Sequence, residues 1–156
     1  MSDNAENHDR EHVLRIAAIV LNDSAGRTLL VRKRGTSGFM QCGGKLEPGE
    51  TPLQAVVREV GEELGLTLDP SDLEHLGRFD APALNEDHTR VDADAYFVRT
   101  PFVEAEALCA YREIAEVVWA DPARPRVEVA PLSRDVLLPI AAERAGQRPR
   151  ARTSTY

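Results

Sequence analysis

The stretch Thr51 to Leu66, TPLQAVVREVGEELGL, restricts the fold of this chain more than any other segment. Thr51 can cap a helix, Pro52 suits its first position, and Gln54 completes a capping box three residues after the cap. Gly65 supplies a C-terminal stop. At about 100° per residue, with Glu59 as zero, Leu53, Val56, Val57, Val60 and Leu64 fall in an arc from roughly 60° to 160°. Glu59, Glu62 and Glu63 fall in an arc from roughly −60° to +40°. Such a helix must lay its apolar stripe against another layer. It then carries three carboxylates along the edge of that contact.

Like charges three or four residues apart on a helix cost a few tenths of a kcal/mol per pair. The cost grows where the ridge borders a core of lower dielectric. No lysine lies in the helix, and a single arginine, Arg58, cannot neutralise three carboxylates. A solvated acidic face is the plainer alternative, but the position of the ridge favours a cation seated among the glutamates. Hard divalent ions take oxygen ligands, and magnesium combines a few carboxylates with waters and substrate phosphates. Gly43 and Gly44, just upstream, let backbone approach such a site closely.

The rest of the chain reads as mostly strand. HVLRIAAIVLN (12–22) stops at the turn cluster DSAGR and TLLVRKR restarts, so the pair is expected to form a hairpin. Arg32, Lys33 and Arg34 close the second strand, where they can meet phosphate or simply face water. GTSGFMQCGG reads as a loop with a short apolar centre. DLEHLGRFDAP and VDADAYFVRT read as strands around the polar loop ALNEDHTR, and EVVWAD as a further short strand. PLSRDVLLPIAAERAG reads as an amphipathic helix that Pro139 kinks or delays. The expected class is α+β, a mixed sheet sandwiched between helices. Residues 1–11 and 147–156 read by composition as a disordered leader and tail around one domain, 12–146.

A net charge of −7 argues against a broad grip on nucleic acid. It leaves room for a small phosphorylated ligand brought in by a divalent metal. No apolar run is long enough to span a membrane, and the polar N-terminus does not resemble a signal peptide, so a cytoplasmic address is expected. Cys42 and Cys109 are read as free thiols rather than a disulfide. The histidines His8, His12, His75 and His88 show no metal-ligand spacing.

Gly44, then Glu50, then Arg58-Glu59-Val60-Gly61-Glu62-Glu63-Leu64-Gly65-Leu66 resembles the Nudix box at each defining position. The hairpin before it and the strands after it are also similar to the Nudix fold. The resemblance implies hydrolysis of a diphosphate linkage in a small-molecule nucleoside diphosphate derivative, with Mg2+ or Mn2+. It implies Glu59, Glu62 and Glu63 as metal carboxylates and the Gly44 carbonyl as a further ligand. It also implies an Arg58–Glu50 pair that holds loop and helix together. Family analogy alone admits a homodimer.

The reaction would be attack of water on phosphorus, with one carboxylate accepting a proton. Glu62 is the candidate base within the box. Glu86, Glu113 and Glu116 are candidates downstream, with Glu113 preferred because REIAEVVW resembles the acidic segment before a late strand in MutT-type members. Each stands beside the plainer reading of a surface charge. Cys42 occupies a position where many members carry proline, and Gly61 should cost the helix up to about 1 kcal/mol relative to alanine. Pro82 resembles a marker of ADP-ribose pyrophosphatases, whereas the compact size resembles the nucleoside triphosphate pyrophosphohydrolases. Phe39, Tyr96 and Phe97 are candidates to stack on a base or to pack in the core. Two rivals remain in view. A non-catalytic nucleotide-sensing Nudix-like domain usually loses box glutamates, and none is lost here. A calcium module needs an EF-hand loop, whose ligand pattern is missing.

Overall fold

Alternation along each strand decides which helix layer its side chains meet. In β1 (His12–Val20), Ala17 and Ile19 join a core that includes Val56, Val60 and Leu64, whereas Ala18 and Val20 join Leu132, Leu137 and Ala141. β6 (Thr89–Val98) divides the same way, with Tyr96 and Val98 on the first side and Ala93 and Ala95 on the second. A computed structural model describes residues 12–84, 86–103 and 108–146. The leader and tail expected at the two ends lie outside the described residues.

Among the described residues the strands form two sheets. In the first, β1 pairs antiparallel with β4 (Gly43–Lys45) and parallel with β6, and β6 pairs antiparallel with β5 (Leu73–Pro82). In the second, β2 (Thr28–Lys33) pairs antiparallel with β3 (Phe39–Met40) and with β7 (Ile114–Ala120). Helix α1 (Pro52–Leu64) packs on one side of these sheets and α2 (Leu138–Gly146) on the other. The arrangement is the α+β sandwich expected from the sequence.

Two local expectations fail. β1 and β2 do not form a hairpin within one sheet. Backbone pairing near them is confined to the turn after β1, through the Asn22–Thr28 bridge and the Leu29 N–H bonded to the Leu21 carbonyl, and the two strands belong to different sheets. The sequence alternation that marks both strands carries no information on their pairing partner. The segment taken as a loop, GTSGFMQCGG, contains β3 and the start of β4, each too short to show a period.

Helix α1 has the ends its sequence specifies. Thr51 Oγ1 accepts from the Gln54 N–H, the Gln54 side chain accepts from the Thr51 N–H, and Gly65 closes the helix in the left-handed region. Ala55, Val56, Val60 and Leu64 are buried, while Leu53 and Val57 are only half-buried. Full burial of a side chain such as Val56, Val60 or Leu64 contributes about 1.5–3 kcal/mol. At the C-terminal end the chain is helical from residue 131, widens into a π turn over Ser133–Leu137 and continues as α2, so the helix is not delayed. Pro139 lacks the N–H that regular winding requires, and the expected disturbance takes the form of this wider turn.

Candidate active site

Glu63 shows how far the acidic ridge is drawn into the protein. Its side chain is buried beneath β4, and its Oε2 accepts a hydrogen bond from Cys42 Sγ at 3.1 Å. Burial pushes the carboxyl up to about 7; the Cys42 bond and Lys33 oppose the rise, and the Glu59 charge adds to it. Burial above all, with the Glu63 charge beside it, pushes the Cys42 thiol well up. Cys42 is therefore a protonated donor to a carboxylate, and not an activated nucleophile. Both cysteines are free, Cys42 buried and Cys109 exposed, as the sequence suggested.

Arg58 is the main counter-charge on the ridge. Nε and Nη2 bond Glu50 at 2.7 and 2.8 Å, and Nη1 lies 2.8 Å from Glu59 Oε1 and 3.4 Å from Glu62 Oε2. Nη2 also donates to the Lys45 carbonyl at 3.0 Å, tying α1 to β4. The expectation that Arg58 cannot neutralise all three glutamates holds, since it reaches Glu59 and Glu62 and not Glu63. Lying across Glu50, Glu59 and Glu62, a single planar guanidinium serves several carboxylates at once. It does not serve Glu63, which relies on Cys42 and Lys33.

The backbone approach expected at Gly44 is present. A Cβ built on Gly44 would lie 2.5 Å from the Glu59 carboxyl carbon and 2.8 Å from both its oxygens. Only a residue without a side chain lets this carboxylate rest there. Gly44 also lines a cavity of about 360 Å3. Lys33, Lys45, Glu86 and Glu113 also border this cavity, between strand β4, the loop after β5 and the π turn before α2. Leu14, Ile16, Met40, Leu84 and Val91 supply apolar walls.

This geometry sorts the residues singled out in the sequence. Glu59 lies against Gly44, Glu62 shares Arg58 with Glu59, Glu63 is bonded to Cys42, and Glu50 pairs with Arg58. Glu86 and Glu113 border the cavity; Glu116 does not, because it pairs with Arg32 across β2 and β7. Of the basic strand end, Lys33 is the residue that faces the cavity, where Arg32 had been weighed beside it. Pro82 lines the cavity as the last residue of β5. Phe39 and Tyr96 are buried in the core, and Phe97 lies under the guanidinium of Arg144, so base stacking by these rings is not supported. Sequence reading missed Gln41 and Ser133, a buried polar pair on the cavity wall. A glutamine in the otherwise apolar run FMQC was the available signal.

An all-oxygen donor set of three carboxylates and a backbone carbonyl fits a hard divalent ion such as magnesium or manganese. Of those groups, the Glu59 carboxylate is the one set directly against Gly44. Among the described residues the acidic groups do not close into a cage of three or more ligands, and Arg58 lies within the ridge.

The sequence matches the NUDIX domain family over residues 12–138, and the chain belongs to that family. It is 42% identical over 62 residues to an RNA pyrophosphohydrolase of Halorhodospira halophila, a match spanning 40% of this chain and 33% of that protein. The fold is shared with the MutT protein of Methanosarcina mazei, with a TM-score of 0.66 and 22% identity over 88% of this chain and 98% of the other. It is also shared with a bifunctional NMN adenylyltransferase/ADP ribose pyrophosphatase of Francisella tularensis, solved with AMP and manganese, with a TM-score of 0.60 and 17% identity over 87% of this chain and 42% of that one. The chain thus spans about a third of the curated relative's length.

Proposed function

We propose that this domain hydrolyses a diphosphate linkage in a nucleoside diphosphate derivative, with a divalent metal held by Glu59, Glu62, Glu63 and the Gly44 carbonyl. One observation carries the reading. Gly44 lies against the Glu59 carboxylate and also lines a nucleotide-sized cavity bordered by two lysines. The manganese bound by the Francisella protein and the activity named for the Halorhodospira protein support it.

When bound, the metal would lower the charge on the phosphate oxygens and the pKa of the attacking water. The protein's own groups supply the rest. Lys33 and Lys45 draw the anionic substrate toward an acidic chain. Arg58 holds Glu50 and keeps the loop before α1 in register with the ridge. Glu62, with its side chain one-third exposed, is the box carboxylate best placed to take the proton from water at an Oε atom. Glu113, bordering the cavity from the segment before β7, is the alternative acceptor. The apolar walls take the remainder of the substrate and exclude water from it.

A substrate panel tests this reading. Nucleoside triphosphates, ADP-ribose, nucleotide sugars, NADH and diadenosine polyphosphates would be incubated with magnesium or manganese and the products identified by chromatography. Cleavage at a diphosphate, abolished in Glu62→Gln, is the expected result. A folded protein that turns over none of them with either metal refutes it.

A further inference from the structure

Arg112 stands beside the acidic ridge with almost nothing to hold its charge. Its side chain, just before β7, is 65% exposed, and Nη1 lies 3.9 Å from Glu62 Oε2. That distance is too long for a hydrogen bond, and among the described residues Arg112 has no other side-chain partner. A pair so open and so exposed contributes little to stability. Two other arginines near the site are committed, Arg58 to Glu50 and Glu59 and Arg32 to Glu116.

The backbone, by contrast, holds Arg112 firmly and at a cost. Its φ of +55° lies in the left-handed region, which glycine and asparagine enter more easily. The residues on either side impose it. The Tyr111 N–H donates to the Glu63 carbonyl at the end of α1, and the Tyr111 ring packs over Gly65. The Ile114 N–H then closes the turn on the Tyr111 carbonyl at 3.1 Å. Glu113, the next residue, borders the cavity. One anchored turn thus sets Arg112 against the ridge and Glu113 against the cavity. Strain of this kind persists only where the surroundings over-determine it, and it collects at ligand clamps.

A guanidinium with so little to lose from its present partner is suited to a better one. A diphosphate lying between ridge and cavity offers several anionic oxygens, which arginine can grip through two parallel N–H donors. Glu62 would not be stranded by the exchange, because Arg58 Nη1 lies 3.4 Å from the same oxygen. We infer that Arg112 leaves Glu62 to bind the diphosphate of the substrate, and that its strained backbone serves this contact. This rests on the hydrolase reading for the substrate class, but its test includes binding without turnover.

The α,β-methylene analogues of ADP and GDP keep the diphosphate and resist cleavage there. Each would be titrated by calorimetry into the full chain with magnesium, and the tighter binder used for the variants. Arg112→Gln should weaken binding about ten- to hundredfold, the loss expected for charge-assisted hydrogen bonds. Arg112→Lys, which keeps the charge but not the fork, should fall between. Arg112→Gly should lose as much affinity as Arg112→Gln while its melting temperature stays level or rises, since glycine adopts a positive φ without strain. Affinity in Arg112→Gln within twofold of the unmodified protein overturns the proposal. So does failure of the unmodified chain to bind either analogue, or an Arg112→Gly variant whose melting temperature falls along with its affinity. The two readings fail separately. Arg112-dependent analogue binding without turnover of any diphosphate refutes the hydrolase reading alone, whereas turnover at unchanged kcat/KM in Arg112→Gln refutes this inference alone.

Discussion

Arg58 holds Glu50 in a two-pronged grip, with Nε 2.7 Å from one carboxylate oxygen and Nη2 2.8 Å from the other. The same carboxylate accepts the Glu47 N–H at 2.9 Å, so it closes the loop that leads from β4 into α1. The Arg58 hydrogen bond, more than any other contact, lowers the Glu50 carboxyl to about 2. A depressed carboxyl contributes fully above its unfolded value and loses that contribution as pH falls toward the folded value. The grip should therefore hold across neutral and mildly acidic pH and release only toward pH 2. Lysine cannot reproduce a planar fork. Arg58→Lys should lower manganese affinity and kcat/KM by about 10–100-fold, the usual cost of removing an outer partner of a metal site. Electron paramagnetic resonance of added manganese measures the first effect. Affinity that stays within a factor of two or so would show that the grip does not position the ridge.

Cys42 and Cys109 should differ sharply in reactivity. Cys42 has no exposed surface and donates to Glu63, while Cys109 lies exposed. A thiol-specific chromogenic reagent near neutral pH should label one thiol per folded chain and both after denaturation. Peptide mapping should find the native label on Cys109. Rapid native labelling of Cys42 would contradict the buried, protonated thiol described here.

The parts of this molecule that were legible in the sequence are those fixed by local chemistry. The capping box at Thr51 and Gln54, the stop at Gly65, and the ridge of Glu59, Glu62 and Glu63 all follow from residue spacing within one helix. Strand partners were not legible, because β1 pairs with β4 and β6 through contacts distant in sequence while its neighbour β2 enters another sheet. The environment of each glutamate was equally hidden. Helical geometry placed Glu63 near the core, but its burial depends on Cys42 and β4 coming to lie above it. Gln41 and Ser133, far apart in the chain, become a pair only once the helical layer closes over β3.

Asp94 ties three strands together. His75 Nε2 lies 2.6 Å from Oδ1, and Arg15 bonds Oδ2 from the neighbouring β1. Burial pushes the carboxyl up, but the Arg15 and His75 contacts together reverse this and hold it below the ordinary 3.8. A depressed carboxyl stabilises the folded state above its unfolded value, and that contribution fades as pH falls below about 4. Asp94→Asn should cost about 1.5–3 kcal/mol at neutral pH, the range for hydrogen bonds to charged groups. The gap from the unmodified protein should begin to narrow near pH 3, where the unfolded chain's carboxyl is protonated while the folded one is held lower. Urea unfolding at the two pH values measures it. A gap of constant size would mean that the charge on Asp94 adds nothing beyond packing.

Three glycine-to-alanine substitutions should have three different outcomes. At Gly43 a Cβ would lie 2.0 Å from the Ala17 carbonyl oxygen and 2.8 Å from Ala18 Cα, both main-chain atoms of β1. Gly43→Ala must force these strands apart and should destabilise the fold by about 1–3 kcal/mol. At Gly44 the Cβ would meet the Glu59 carboxyl, the far end of a flexible side chain that can swing aside. Gly44→Ala should leave the melting temperature within a few degrees while manganese affinity falls about 10–100-fold, because a metal carboxylate is displaced. Gly61 is exposed within α1, and its Cβ would find no atom closer than the Leu66 carbonyl oxygen at 3.9 Å. Gly61→Ala should raise stability by about 0.4–1 kcal/mol, since alanine loses less backbone freedom on entering a helix. Thermal melts and manganese titrations of the three variants separate strand spacing, ligand placement and helix propensity within a single motif. Gly44→Ala decides most: unchanged metal affinity there would break the link between the Gly44–Glu59 contact and the proposed metal site.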